Sequence, residues 1–220
     1  QTLGEKGIPL LLTGILVMVM AAAVILGGVG SIAKVCEGLV PAMSILYLLG
    51  CAAVLVQCRT QVIPALVLIL KSAVTPRAAG GGFVGSTILT AARYGMARGL
   101  FTNESGMGTA PMAAAAGPGE HPQEESLISM TGVFWDTVVI CAMTGIMLVA
   151  AMLKFPERFR EAGVGALCFR AFSCIPGGKT VLMISLVTFA FSTVVGWCYY
   201  GECCTEYLLG RGWVPPYRIV

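Results

Sequence analysis

Residues 93–116, RYGMARGLFTNESGMGTAPMAAAA, decide how this chain is read. They lie between apolar flanks, yet they hold Arg93, Arg98, Asn103, Glu104 and four glycines (Gly95, Gly99, Gly106, Gly108), with Pro111 soon after. A plain helix in lipid would not set glycine, asparagine and glutamate together at its centre, because charge at membrane depth is costly and marks function. The pattern therefore predicts a helix that breaks. A break frees backbone N–H and C=O groups, and these survive at that depth only where they line a protein cavity. There they can meet the charged ends of a zwitterion, with a half-helix N-terminus facing a carboxylate. On this reading Gly99, Gly106 and Gly108 give the break its freedom to bend and gate, and Asn103 and Glu104 are its polar groups. The competing reading is an ordinary interfacial loop between two spans.

The surroundings make lipid the solvent. Hydrophobic residues form 57% of the 220-residue chain and charged residues 11%, against about 45–50% and about 25% in a soluble domain. The mean hydropathy is +0.86. Besides the broken region, 82–116, four stretches have the roughly 20 apolar residues a crossing helix needs: 8–28, 39–58, 127–153 and 180–200. In the second, Pro41 is expected in the first turn, where a missing N–H does no harm. The period-2 alternation of barrel strands is absent, so the fold class is an all-α membrane protein, with residues 1–220 forming a single transmembrane region. The chain opens on Gln1 and closes on an apolar run, Tyr217-Arg218-Ile219-Val220, so both ends are expected to be cuts through a larger protein.

Between the spans lie a short connector (29–38), an apolar patch too short to cross (62–70, expected as an interfacial helix), a polar loop (117–126, GPGEHPQEES) and a basic loop, 154–179. The middle of that loop, 163–172, is expected as a short surface helix. The positive-inside rule places the basic loop in the cytoplasm. The net charge of +3 is dispersed, which speaks against a nucleic-acid partner. Nine cysteines lie mostly in apolar spans and are expected to behave as small hydrophobes; Cys203 and Cys204, adjacent and near an interface, are candidates for reactivity. One histidine and no paired cysteine spacing argue against a zinc site. Two glycine runs, 28–33 and 80–85, imitate nucleotide fingerprints but lack the preceding strand and the correctly placed acid. Small residues for close helix packing explain them better.

Two further places carry chemistry. Asp136 lies inside an apolar span; it is either half of an ion pair with Arg93 or Arg98 that orients helices, or a cation site. In the last span Ser192, Thr193, Trp197, Tyr199 and Tyr200 cluster. Thr193 and Trp197 are four apart and share a face, which suits a small ligand, and hydroxyl oxygens suit Na⁺. An aromatic belt explains Tyr199 and Tyr200 well and Ser192 poorly.

The run Arg98-Gly99-Leu100-Phe101-Thr102-Asn103-Glu104-Ser105-Gly106-Met107-Gly108-Thr109-Ala110-Pro111, preceded by Gly81-Gly82-Phe83, closely resembles the alanine or glycine:cation symporters. Val24-Ile25-Leu26-Gly27-Gly28, Leu39-Val40-Pro41, Gly132-Val133-Phe134 with Asp136-Thr137, and Phe191-Ser192-Thr193 with Trp197-Tyr199-Tyr200-Gly201-Glu202 fit the same family, in order along nearly the whole chain. Ser105 and Thr109 depart from its commoner alanine and serine, a difference that bears on substrate preference. The resemblance implies an internal piece of an inverted-repeat, five-plus-five helix transporter. On that map 8–28 and 39–58 resemble the fourth and fifth core helices, 82–116 the broken sixth, and 127–153 and 180–200 the seventh and eighth. It places the basic loop outside, against the positive-inside rule. It implies substrate contacts from Phe101, Asn103, Thr193 and Trp197, and sodium ligands in Ser192 and Thr193. The implied activity is symport of alanine or glycine with Na⁺, or H⁺ in its place, across the plasma membrane (a bacterial inner membrane), with no cofactor and no enzymatic step. The alternatives are an intramembrane hydrolase using Ser105 and His121, which lacks a G-x-S-x-G context and a base held near the serine, and a non-transporting structural subunit.

Overall fold

The computed structural model describes residues 10–74, 96–97, 99–104, 106–117, 121–160 and 163–219. Its described residues contain helices and no strand. Three helices are long and apolar enough to cross a bilayer, at 30, 33 and 32 residues, and the chain is an all-α, multi-pass membrane protein. It divides into two compact units, residues 1–47 with 180–220, and residues 48–179.

In the first unit α1 (Leu10–Ile25) is 16 residues long. The expected span ran to residue 28, but the chain turns at Leu26 and Gly27, and Gly28 takes a φ of +72° to start α2 (Gly28–Gln57). The expected connector 29–38 is thus the first third of a helix. Pro41 consequently lies inside α2 rather than in its first turn. It lacks an N–H to give to the preceding turn, a defect tolerated where neighbouring groups re-satisfy the freed carbonyl. A buried cluster of Ala21, Ile25, Ile32, Phe191 and Val195 packs α1 and the start of α2 on α8 (Gly178–Leu209). Tyr47 meets Phe189 edge to face, with ring centroids 6.0 Å apart. After α8 a 3₁₀ turn, Arg211–Trp213, leads into the short α9 (Val214–Ile219).

The second unit is built around α5 (Pro122–Lys154). Here the expected polar loop stops early: Pro122 starts the helix, and Glu124 and Glu125 sit in its first turn. Proline at that position has no N–H to waste, and the acids complement the positive end of the helix dipole. Residues Phe134–Cys141 of α5 form π-helix rather than α-helix. α3 (Val62–Val74) packs along the last part of α5, with Ala65, Met147, Ala150 and Ala151 fully buried. Small side chains let membrane helices approach closely where apolar burial alone supplies no drive. The patch expected as an interfacial helix, 62–70, is helical and packs on α5. The 154–179 loop folds as α6 (Pro156–Phe159), a 3₁₀ turn (Val164–Ala166) and α7 (Leu167–Phe172), and Ala171 and Phe172 are fully buried. The Lys154 ammonium donates to the Gln57 carbonyl, capping the C-terminal end of α2. All nine cysteines are free thiols, and Cys51, Cys58 and Cys174 are buried.

Candidate functional site

The motif 93–116 is described from Met96 onward, without Arg98 and Ser105. A helical turn over residues 99–102 ends as the Asn103 N–H donates to the Gly99 carbonyl (3.0 Å) and the Glu104 N–H to the Phe101 carbonyl (3.1 Å). The chain then leaves helical geometry. Glu104 has φ +52°, Gly106 +101° and Gly108 +81°. Helix resumes as α4 (Thr109–Ala115), with Gly108 as its N-cap. Only glycine reaches such angles without steric cost, so Gly106 and Gly108 are the residues that permit the break. Gly99 lies in the turn before it, and its carbonyl also accepts a bond from the Asn103 amide (2.9 Å).

Asn103 ties the break to α5. Its amide nitrogen donates to the Thr137 hydroxyl at 3.0 Å, and that hydroxyl donates back to the amide oxygen at 3.3 Å. Asn103 and Glu104 are half-buried and Phe101 is exposed. Thr109 is buried, and its hydroxyl has no hydrogen-bond partner among the described residues.

Asp136 precedes Thr137 within the π-helical stretch. One carboxylate oxygen, Oδ2, is buried with no hydrogen-bond partner among the described residues. The three ion pairs among those residues do not include it. The expected partners, Arg93 and Arg98, lie outside the described residues.

On α8 the Ser192 and Thr193 hydroxyls both donate to the Phe189 carbonyl, at 3.0 and 2.9 Å. Each oxygen keeps lone pairs for a further donor or a cation. Thr193 and Trp197 are both exposed on one face, and Trp197 meets Tyr200 edge to face at 6.0 Å. Further along, the Arg218 guanidinium on α9 makes a two-pronged bond with the buried Glu202 carboxylate, Nε donating to Oε1 and Nη2 to Oε2, each at 2.8 Å. Those bonds raise Arg218 above the usual guanidinium range. The same guanidinium lies over Gly28, where a Cβ would come within 3.0 Å of it. Burial pushes the neighbouring Tyr217 hydroxyl up from the phenol range.

Two short helical segments separated by two left-handed glycines, inside an NESGMG run, agree with what comparison finds: the sodium:alanine symporter family matches over residues 2–220. The chain belongs to the sodium:alanine symporter family. It is 42% identical over 214 residues to the sodium/alanine symporter AgcS of Methanococcus maripaludis, covering 97% of this chain and 46% of that protein. An uncharacterized transporter of Haemophilus influenzae is 43% identical over 212 residues, 96% of this chain and 46% of the relative. The sodium/proton-dependent alanine carrier protein of Bacillus sp. (strain PS3) is 31% identical over 216 residues, 92% and 48% respectively. The chain thus spans about half the length of these symporter-family relatives. The family it belongs to is one of symporters, not hydrolases; of the hydrolase pair, His121 is exposed at the start of α5 and Ser105 lies outside the described residues.

Of the residues singled out from sequence, Gly99, Phe101, Asn103, Glu104, Gly106, Gly108 and Asp136 belong to the second unit, and Ser192, Thr193 and Trp197 to the first. Sequence reasoning missed Thr137 as the partner of Asn103, which lies 34 residues away and has no local signal. It also missed the Glu202–Arg218 pair, whose only clue is an acid inside an apolar helix.

Proposed function

We propose that the complete protein carries a small neutral amino acid, alanine or glycine, across the plasma membrane with Na⁺ as the coupling ion. The observation that carries the proposal is the break at residues 103–108, where Gly106 and Gly108 hold left-handed angles between two helical segments. Backbone groups released there suit the ammonium and carboxylate of an amino acid, with Asn103 and Phe101 beside them. Two relatives, a sodium/alanine symporter and a sodium/proton-dependent alanine carrier, support alanine and Na⁺. Another relative, 34% identical over 193 residues, is a probable sodium/glutamine symporter of Bacillus subtilis, which makes glutamine the substrate to test against alanine.

On α8, the exposed face of Thr193 and Trp197 is proposed to contact the substrate, and the Ser192 and Thr193 oxygens to bind Na⁺. The test is labelled amino-acid uptake by the complete protein in liposomes, against alanine and against sodium concentration. Sodium-driven alanine uptake is expected. Trp197→Ala should weaken alanine affinity and leave the sodium curve in place. Thr193→Val and Ser192→Ala should raise the sodium requirement roughly tenfold to a hundredfold, since a hydrogen bond or ligand to a charged partner is worth about 1.5–3 kcal/mol. Unchanged curves for all three would show that this face of α8 is the wrong one, and glutamine outrunning alanine would overturn the substrate.

A further inference from the structure

We propose that Asp136 is a proton-binding carboxylate of this transporter; the inference rests on the transport reading above. Between Glu125 and Lys154 it is the sole charged residue of α5. α5 runs from Pro122 to Lys154, which leaves 14 residues before Asp136 and 18 after it. A 33-residue helix is longer than the roughly 20 residues the bilayer core requires, so Asp136 falls inside the core wherever the helix is set, from just within one face to mid-depth. A carboxylate held there needs its charge neutralised or paired. Its Oδ2 is buried without a hydrogen-bond partner among the described residues.

The surrounding chemistry favours a proton over Na⁺. A hard metal cation needs several oxygen ligands at once. The nearest hydroxyl in sequence, Thr137, is engaged by Asn103. A proton needs a single oxygen: it leaves bulk water, bonds to the carboxylate and gives a neutral acid. The other titratable or charged groups on this helix are Glu124, Glu125, Cys141 and Lys154, and on the motif of the break Arg93, Arg98 and Glu104, the two arginines lying outside the described residues. None of the ion pairs among the described residues includes Asp136.

The location gives protonation a consequence. π-helical segments are short, strained departures from α-helix that gather at functional sites, and Asp136 lies in one. The next residue, Thr137, is bonded to Asn103 of the break. A change of charge at Asp136 is therefore one residue from the contact that holds the break to α5.

The experiment is labelled-alanine uptake by the complete protein in liposomes, from acid to alkaline pH at saturating sodium, and again against sodium at fixed pH. Sodium-driven uptake by the unaltered protein is the prior condition, and its absence would sink the transport reading before any variant is made. The unaltered protein should lose activity as pH rises through the titration of the site, at up to about tenfold per pH unit. Asp136→Asn, which mimics the protonated acid, should flatten that limb while leaving the sodium curve in place. Asp136→Glu keeps an ionisable group and should retain the limb at a shifted pH. The proposal is overturned by a flat profile in the unaltered protein, by a limb that persists in Asp136→Asn, or by a limb lost in Asp136→Glu. A sodium requirement raised tenfold in Asp136→Asn with the pH limb intact would assign the carboxylate to Na⁺ instead, and would also overturn it.

Discussion

Replacing Gly106 or Gly108 by alanine isolates the backbone of the break from everything else. A Cβ built at either position meets no atom within 4 Å among the described residues, so the cost there is conformational and not steric crowding. Gly108 has φ +81° and ψ −3°, close to the left-handed helical region, where an L-residue loses about 1–2 kcal/mol. Gly106, at φ +101°, lies further out, where strain reaches about 2–3 kcal/mol. Alanine also narrows the unfolded ensemble, which returns about 0.4–1 kcal/mol. The net expectation is a loss of about 0–1.5 kcal/mol for Gly108→Ala and about 1–2.5 kcal/mol for Gly106→Ala, by these same terms. Gly99 supplies the control. Its φ is not positive and its Cβ site is also open, so Gly99→Ala should be neutral or stabilise by about 0.5–1 kcal/mol. A second control is Gly108→Asn, since asparagine tolerates left-handed angles, and it should lose less than Gly108→Ala. The assay is thermal denaturation of the purified complete protein in detergent, with alanine uptake measured alongside. Were Gly106→Ala and Gly108→Ala as stable as the parent while Gly99→Ala was the damaged one, the break would not be held open by these angles.

Two further outcomes follow from single contacts. Asn103→Ala and Thr137→Val should each destabilise by about 1 kcal/mol, and the double variant should lose less than their sum by about 0.5 kcal/mol or more; additive losses in a denaturation series would mean the contact across 34 residues carries no energy. Glu202→Gln should cost about 1.5–3 kcal/mol by weakening the two-pronged bond to Arg218, and Arg218→Lys, which cannot form two parallel bonds, should cost a similar amount; melting temperatures equal to the parent's in both would show the pair to be idle.

Membrane helices were legible in this sequence because lipid demands an internal partner for every backbone group and a long apolar run. Their ends were less so. Residues 29–38 carry Ser31, Lys34 and Glu37, which look like a connector, yet α2 begins at Gly28. A helix end that projects beyond the hydrocarbon meets water, where polar residues are welcome, so polarity marks the bilayer boundary and not the helix boundary. The same physics hid the first turn of α5 in the polar run PQEES. The break itself was legible from Gly106 and Gly108 because the demand for a positive φ is local. The π-helical stretch was not, because FWDTVVIC carries no glycine or proline to announce it.

The same contact that sequence could not reveal supports the broken helix over the interfacial loop. A loop at the membrane surface would be bonded to the end of a neighbouring helix. Asn103 is bonded to Thr137, which lies 15 residues from Pro122 and 17 from Lys154 in α5. At 1.5 Å per residue that is about 22 Å from one end and about 25 Å from the other, slightly longer than the path through a π-helical stretch. Polar backbone is thereby held beside the middle of a helix that has 33 residues with which to cross an apolar core of about 30 Å. Backbone released at that depth persists only against protein or water in a cavity. Asn103 thus ties the break to the middle of α5, and on the transport reading proposed above its freed N–H and C=O groups are the ones that would meet a small zwitterion.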